Sequence, residues 1–460
     1  MNTATLEPVL RAALGERVRC DADSLAMYGR DWTRNFPVAP AAVVLPESTE
    51  EVVRLVQLAR THRFGIVPSG GRTGLSGGAV APNGEVVLSL ARMNKVLAFD
   101  PADRLVRCQA GLVTGELQAF AAGQGLFYPV DFASSGSSCI GGNIATNAGG
   151  IKVIRYGLTR DWVAGLKVVT GSGEVLELNR GLVKNNTGYD FRHLFIGSEG
   201  TLGVIVEADI RLARTPPPQA VLVVGVPAFA DVLNVLAAFT GELDISAFEF
   251  FSELALRKVM ARHGHGRPFA EPAAFYALIE VDEASAEQAM TVFERCVEQG
   301  WISDGVMSQS LTQAKTLWRL REDISESLSH ETPYKNDISV RVGRIPQFLD
   351  QATQLIHRAY PEFEVVWFGH IGDGNLHLNI LKPAALATDL FFERCGKVSL
   401  DLFAMIDRHG GSISAEHGVG MLKKPYLEYS RGAADITLMR GVKRLFDPDG
   451  IMNPGKLIDA

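Results

Sequence analysis

Glycine is concentrated in three places in the first half of this chain, and that concentration constrains the fold more than any other feature. The segments are PSGGRTGLSGG at 68–78, SSGSSCIGGNIATNAGG at 134–150 and GSEGTLG at 197–203. Small residues directly after a strand let successive backbone N–H groups point into one concavity, and such a nest holds a pyrophosphate without cationic side chains. One such patch reads as an ordinary turn; three in one half of a chain read as a ligand-binding surface. Gly-x-Gly triplets such as Gly171–Gly173 and Gly418–Gly420 do not continue to GxGxxG, and no GxxxxGK[ST] loop occurs. A Rossmann NAD site and a P-loop nucleotidase are therefore disfavoured.

The pattern around these segments predicts mixed structure. Apolar spacing predicts a short helix at 6–14 and a strand at 42–45. Ser48 with Glu51 forms a capping box, after which Val52, Leu55, Val56 and Ala59 repeat at helical spacing. Strands are expected at 66–67, 86–90, 105–110 and 204–212, with a hairpin joining 166–169 to 175–178. Thr215-Pro216-Pro217-Pro218 cannot continue a strand ladder and marks a domain boundary. Beyond it the pattern predicts helices at 284–299, 311–330, 346–359 and 387–409, and strands near 272–281, 337–342 and 364–381. This mixture indicates an α+β fold rather than a regularly alternating wound sheet.

Composition narrows the class. With 460 residues, 47% of them hydrophobic and 21% charged, the chain can bury the cores of two or three domains. A net charge of −7 argues against nucleic acid or an anionic membrane as the main partner, and an anionic substrate would need a local cluster of cations. The five cysteines, at 20, 108, 139, 296 and 395, are odd in number and widely spaced, which points to a reducing compartment and away from disulfides. The N-terminal MNTATLEPVLRAALGER lacks the basic start and apolar block of a signal peptide. The apolar run at 220–230 is too short to span a bilayer and contains Pro227, so it reads as a buried strand and its end. The expectation is a soluble, cytoplasmic protein without a membrane span.

The second half carries a sharper signal, VVWFGHIGDGNLHLNI at 365–380. With Asp373-Gly374 as the centre of a two-residue turn, Gly372 pairs with Asn375 and His370 with His377. Directly opposite residues share a face with Cβ atoms about 4.5–5.5 Å apart, so the two imidazoles can chelate one cation. Asn379 points to the same face. SAEHGVG at 414–420 offers Glu416 as a third ligand. Two His and one carboxylate leave open positions on the metal, as a catalytic site requires. If 416–417 is extended, His417 points away from Glu416 and is available to take a substrate proton. His62, His193, His330, His357 and His409 read as ordinary surface or core side chains, and His263-Gly264-His265 as a glycine-flanked surface loop.

Several of these segments resemble known families. PSGGRTGLSGG, CIGGNIATNAGG and GSEGTLGVI resemble the three FAD-contacting segments of the vanillyl-alcohol-oxidase-type flavoproteins, and NPGK at 453–456 resembles the segment that returns to the flavin. The resemblance implies that the FAD diphosphate lies on Pro68, Ser69, Gly70, Gly71, Arg72, Thr73 and Gly74. In the second segment it implies contacts from Ser135, Gly136, Gly141, Gly142, Asn143, Thr146, Gly149 and Gly150. Glu199, Gly200, Gly203, Val204 and Ile205 follow from the third, with Asn453 and Lys456 from the return, where Lys456 would favour the anionic reduced flavin. Members that bind FAD covalently do so through a histidine in the first loop. Here Arg72 stands there and no His occurs between 63 and 192, so non-covalent FAD is implied. The implied architecture is a two-subdomain FAD-binding domain over 1–214 and an α+β substrate or cap domain over 215–410 with the metal site. A C-terminal segment, 411–460, returns to the flavin.

GHIGDGNLHLNI and GSISAEHGVG also resemble signature segments of the D-lactate, glycolate and D-2-hydroxyglutarate dehydrogenase group. That resemblance implies His370, His377 and Glu416 as metal ligands, His417 as general base and Asn379 as a binder of the substrate α-carboxylate. Zinc suits a His/His/Glu set, and manganese also suits imidazole–carboxylate ligands. On spacing alone, Arg321 and Lys335 read as solvated charges. The resemblance instead places Arg321, Ser325 one turn later, and Lys335 on the distal carboxylate of a small dicarboxylic 2-hydroxy acid; Ser325 departs from the family's Thr but keeps the hydroxyl. GSISAEHG, in place of the TGEHG of the lactate and glycolate branches, points the same way. The implied activity is oxidation of D-2-hydroxyglutarate, with electron-transfer flavoprotein as acceptor; a homodimer stays open. Competing readings are a D-lactate dehydrogenase, an alkylglycerone-phosphate-synthase-type flavin transferase and a non-catalytic flavin subunit.

Overall fold

In the computed structural model, which describes residues 3–33 and 35–459, the chain divides into two compact units. The first comprises Met1–Gly149, Leu158–Thr215 and Glu416–Ala460; the second comprises Gly150–Gly157 and Pro216–Ala415.

The first unit is built on two sheets sharing one apolar core. In the smaller, Ala42–Val44 and Ile66–Ser69 both run parallel to Val86–Ser89, and Val18–Arg19 closes the edge antiparallel to Val44 and Val43. Helix Thr49–His62 covers it with Val52, Leu55, Val56 and Ala59 buried, the stripe the spacing predicts. Ser48 caps that helix by accepting from the Glu51 amide at 3.3 Å. The Glu51 carboxylate bonds the Glu47 amide at 2.7 Å rather than that of Ser48, so the reciprocal half of the expected box is displaced by one residue. The larger sheet is antiparallel, in the order Val96–Asp100, Leu105–Gln109, Gly203–Arg211, Val163–Thr170, Val175–Leu178. Its expected hairpin is present, with Leu166 opposite Leu178 and Val169 opposite Val175.

The second unit centres on a seven-stranded antiparallel sheet. Its order is Asp304–Met307, Gln219–Val226, Phe275–Asp282, Ile245–Ser252, Val365–Gly369, Asn375–Ile380, Tyr334–Ser339. Helices Glu253–His263, Leu311–Glu322 and Ile324–Leu328 pack on one face, where Leu256, Val259, Leu317, Trp318, Ile324 and Leu328 join Val221, Phe251, Tyr276 and Phe368. The Trp318 indole donates to Glu280 at 3.0 Å, and Lys152 Nζ pairs with the same carboxylate at 2.8 Å. That pair and Arg155–Asp282, at 2.7 Å, attach the inserted Gly150–Gly157 to this unit. Helix Thr388–Arg408 buries Phe391, Cys395, Ser399, Leu402 and Ile406 at three- and four-residue spacing.

Helices Ile345–Ala359 and Thr388–Arg408 lie close to their expected bounds. The expected helix over 311–330 is interrupted at Asp323, and the chain adds helices Phe229–Thr240, Glu253–His263 and Ala433–Phe446 that the pattern did not announce. Strand Ile245–Ser252 was also not legible: it is buried over all but its last residue, so its polar residues do not alternate with apolar ones. All five cysteines are free thiols. No helix among the described residues is long and apolar enough to cross a membrane.

Candidate active site

Within the first unit the three glycine-rich segments meet. A Cβ on Gly71 would lie 2.1 Å from the Ser137 carbonyl oxygen, so only glycine lets the first segment lie against the second. Gly70 likewise faces Cys139, and Gly200 of the third segment faces Pro68 of the first. Arg72 takes a left-handed φ of 59° and stacks its guanidinium 4.6 Å above the Tyr28 ring. The Asn143 amide nitrogen is engaged inside the protein, donating to Thr114 Oγ1 at 2.7 Å.

The C-terminal return is stitched to the same place. Glu199, held at a φ of 52°, accepts from the Val419 and Gly420 amides at 2.7 Å each. Burial pushes the Glu199 carboxyl above its ordinary pKa, and these two amide bonds oppose the shift. Ser76 donates to the His417 carbonyl at 2.9 Å, and Asn453 Nδ2 bridges the carbonyls of Gly78 and Glu199. Chain neighbours Glu416 and His417 lie on a bend rather than an extended stretch, and Glu416 Oε1 comes within 3.7 Å of His417 Nε2. The expected divergence of the two side chains is therefore corrected: a bend does not alternate its side chains as a strand does.

This surface fits a polar, anionic cofactor. Ser69 Oγ, Asn453 Oδ1 and Lys456 Nζ are buried without a hydrogen-bond partner among the described residues. Lys456 is fully buried, its nearest carboxylate oxygen being Glu85 Oε1 at 3.8 Å, and burial lowers its pKa to about 8. The unpaired Ser69 hydroxyl and Lys456 ammonium call for acceptors in a ligand, and the Asn453 amide oxygen for a donor.

In the second unit the polar residues lie on one sheet face. His377 is opposite Phe368 on one side and Asp337 on the other; Asn379 is opposite Val366 and Lys335. The observed register is two residues from the expected pairing, because 370–374 form a wider turn in which the Asn375 and Asp373 amides both reach the His370 carbonyl. A slip of two preserves the face, whereas a slip of one would invert it. His370 and His377 consequently still meet, with ring centroids 5.4 Å apart at 82°.

Two carboxylates that spacing did not single out lie beside these rings, and one of them orients His370. His370 Nδ1 donates to Glu249 Oε1 at 2.7 Å, which in the neutral ring makes Nε2 the lone-pair nitrogen. Asp337 Oδ1 lies 3.8 Å from His377 Nδ1 and accepts from Asn375 Nδ2 at 2.9 Å. A carboxylate inside the aromatic run AFEFF at 247–251 was the available signal for Glu249, since an acidic residue is seldom buried without a partner.

Arg321 is 5% exposed and lies over the Phe368 ring at 4.9 Å. Its Nη2 approaches Glu249 Oε2 at 2.8 Å, but the two are not aligned as a hydrogen bond, and both Nε and Nη2 of Arg321 lack an acceptor among the described residues. Lys335 reaches solvent, yet the protein around it desolvates the ammonium and lowers its pKa. Ser325 follows the interruption at Asp323 and is exposed, unlike Arg321.

A family model described as "FAD binding domain" matches residues 40–179, and one described as "FAD linked oxidases, C-terminal domain" matches residues 215–457. A D-2-hydroxyglutarate dehydrogenase of Stutzerimonas stutzeri is 59% identical over 447 residues, covering 96% of each chain. The chain belongs to the D-2-hydroxyglutarate dehydrogenase family. The similarity persists at distance: the mitochondrial D-2-hydroxyglutarate dehydrogenase of Rattus norvegicus is 37% identical over 96% of this chain and 83% of its own length. Among solved structures, p-cresol methylhydroxylase matches 99% of this chain and 97% of its own, with a TM-score of 0.77 at 17% identity. An alkyldihydroxyacetonephosphate synthase matches 99% and 85%, with a TM-score of 0.73 at 21% identity. These two show the fold, the vanillyl-alcohol-oxidase type that the glycine-rich segments imply. The family is one of FAD-linked enzymes, as expected.

Proposed function

We propose that this protein oxidises D-2-hydroxyglutarate to 2-oxoglutarate, using non-covalent FAD and a divalent cation. The observation that carries the substrate is Arg321: beyond its 2.8 Å ion pair with Glu249, the buried guanidinium keeps an Nε donor without a hydrogen-bond acceptor among the described residues, and a planar carboxylate fits its fork. Lys335 and Asn379, opposite one another at the end of the same face, add a second cation and an amide for the two ends of a dicarboxylate.

FAD on the glycine-rich loops supplies the two-electron acceptor. A divalent cation on His370, His377 and Glu416, with zinc favoured by the ligand chemistry, supplies charge stabilisation to the developing alkoxide. The protein's own work is to bind, orient and deprotonate. Arg321 and Lys335 hold the distal carboxylate, and Asn379 holds the α-carboxylate. His417 accepts the hydroxyl proton as the α-carbon gives up its hydrogen with the electron pair. Glu249 sets the orientation of the His370 imidazole, and the Asp337 carboxylate lies 3.8 Å from that of His377. Electrons then leave to a separate acceptor, for which electron-transfer flavoprotein is our assignment.

The deciding experiment is anaerobic bleaching of the purified flavin over a panel of D-2-hydroxy acids, followed by transfer to purified electron-transfer flavoprotein. Bleaching is expected with D-2-hydroxyglutarate at lower concentration than with D-lactate. Bleaching by D-lactate alone would overturn the substrate assignment. Acid precipitation of the same sample is expected to release the yellow colour into the supernatant.

A further inference from the structure

His263, His265 and Asp323 form a second cluster, on the helical layer of the second unit. We propose that it is a divalent-cation site of zinc type, separate from the proposed catalytic cation and bracing the helix junction that follows Arg321.

The chain builds this cluster locally. His263 ends helix Glu253–His263, and Gly264 caps it at a φ of 70°, its amide bonding the Met260 carbonyl at 2.9 Å. That left-handed residue reverses the chain and lays the His265 ring over that of His263, with centroids 5.6 Å apart and planes within 11°. Asp323 occupies the interruption between Leu311–Glu322 and Ile324–Leu328. Its side chain makes no cap bond there, and its carbonyl receives the Ser327 amide and hydroxyl. The carboxylate is thereby left to the imidazoles: Asp323 Oδ2 is 3.0 Å from His265 Nε2 and 4.0 Å from His263 Nδ1.

One ligand atom from each residue lies within 4.8 Å of the others. Tetrahedral zinc with bonds of about 2.0–2.1 Å needs its ligand atoms about 3.3 Å apart, so the cluster must close and one of the near-parallel rings must turn to bring its in-plane lone pair onto the ion. Two nitrogens and one oxygen leave a fourth position for water. A plain ion pair accounts for His265 but not for His263, whose Nδ1 faces Asp323 at 4.0 Å without a hydrogen-bond partner among the described residues. The nearby cation is Arg319, whose Nε is 3.6 Å from Asp323 Oδ2; its side chain is 59% exposed and can swing into solvent.

The test is zinc stoichiometry. Wild-type holoenzyme, H265N and H263Q/H265N are stripped with chelator, titrated with Zn²⁺, freed of excess by gel filtration and analysed for metal. A catalytic cation is common to all three and cancels in the difference. The double variant is expected to bind one equivalent fewer, and H265N to bind that equivalent at least about 10-fold more weakly. Equal stoichiometry and affinity in all three would overturn the site. Flavin content reports folding. If the double variant does not fold, H265N, which keeps an amide N–H for Asp323, decides on affinity: an unchanged zinc titration overturns the proposal.

Discussion

Replacing Arg321 with methionine separates two roles that the structure superimposes on one guanidinium. Arg321 offers buried, acceptor-less donors to a substrate carboxylate, and its charge also stands 2.8 Å from Glu249, whose side chain is 1% exposed. Methionine keeps length and apolar contact with Phe368 while removing the cation. Loss of one partner of a buried charge pair costs about 2–5 kcal/mol, so kcat/KM for D-2-hydroxyglutarate is expected to fall by roughly 30-fold to several thousand-fold. D-lactate, which has no distal carboxylate, should lose far less. Stability should fall as well, by about 3–5 kcal/mol, because Glu249 is left buried without its cation. Adding E249Q relieves that penalty and still provides an oxygen for His370 Nδ1. The double variant R321M/E249Q is therefore expected to recover melting temperature without recovering D-2-hydroxyglutarate selectivity. Stopped-flow flavin reduction on both substrates, beside thermal melts, measures all of these. Equal losses on the two substrates, both restored by E249Q, would refute the reasoning and leave Arg321 as a structural partner of Glu249.

Lys335→Ala should likewise impair D-2-hydroxyglutarate more than D-lactate. The protonated amine is the binding form and desolvation lowers its pKa, so kcat/KM for D-2-hydroxyglutarate should decline with rising pH from below the ordinary lysine range; K335A should lack this limb of the profile. His417→Ala should slow flavin reduction by about 10²–10⁴-fold, the usual contribution of a general base, while FAD content stays near stoichiometric. A normal reduction rate in that variant would rule the base out. Metal analysis of the same sample shows whether His417 also holds the cation, an outcome its 3.7 Å approach to Glu416 makes worth measuring. Dialysis against a chelator should abolish turnover and leave FAD bound, because the proposed metal ligands lie outside the three glycine-rich loops; full activity in a metal-free sample would remove the cation from the mechanism.

Local chemistry was legible in the chain. The Ser48 cap is dictated by a neighbour three residues away, so sequence determines it; the glycines at 70 and 71 were legible as a cluster, while the contact with Ser137 that requires Gly71 is tertiary. The common face of His370 and His377 was legible for a similar reason, since strand alternation survives a register slip of two. The register itself was not, because the wider turn at 370–374 is settled by pairing with Tyr334–Ser339 and Ile245–Ser252 on either side. Only the tertiary structure brought Glu249 to His370, 121 positions away in sequence, and Asp323 to His265, 58 positions away. Those partnerships form because burial makes an unpaired charge or imidazole costly, and which group relieves the cost depends on sheet order and helix packing that no local pattern encodes.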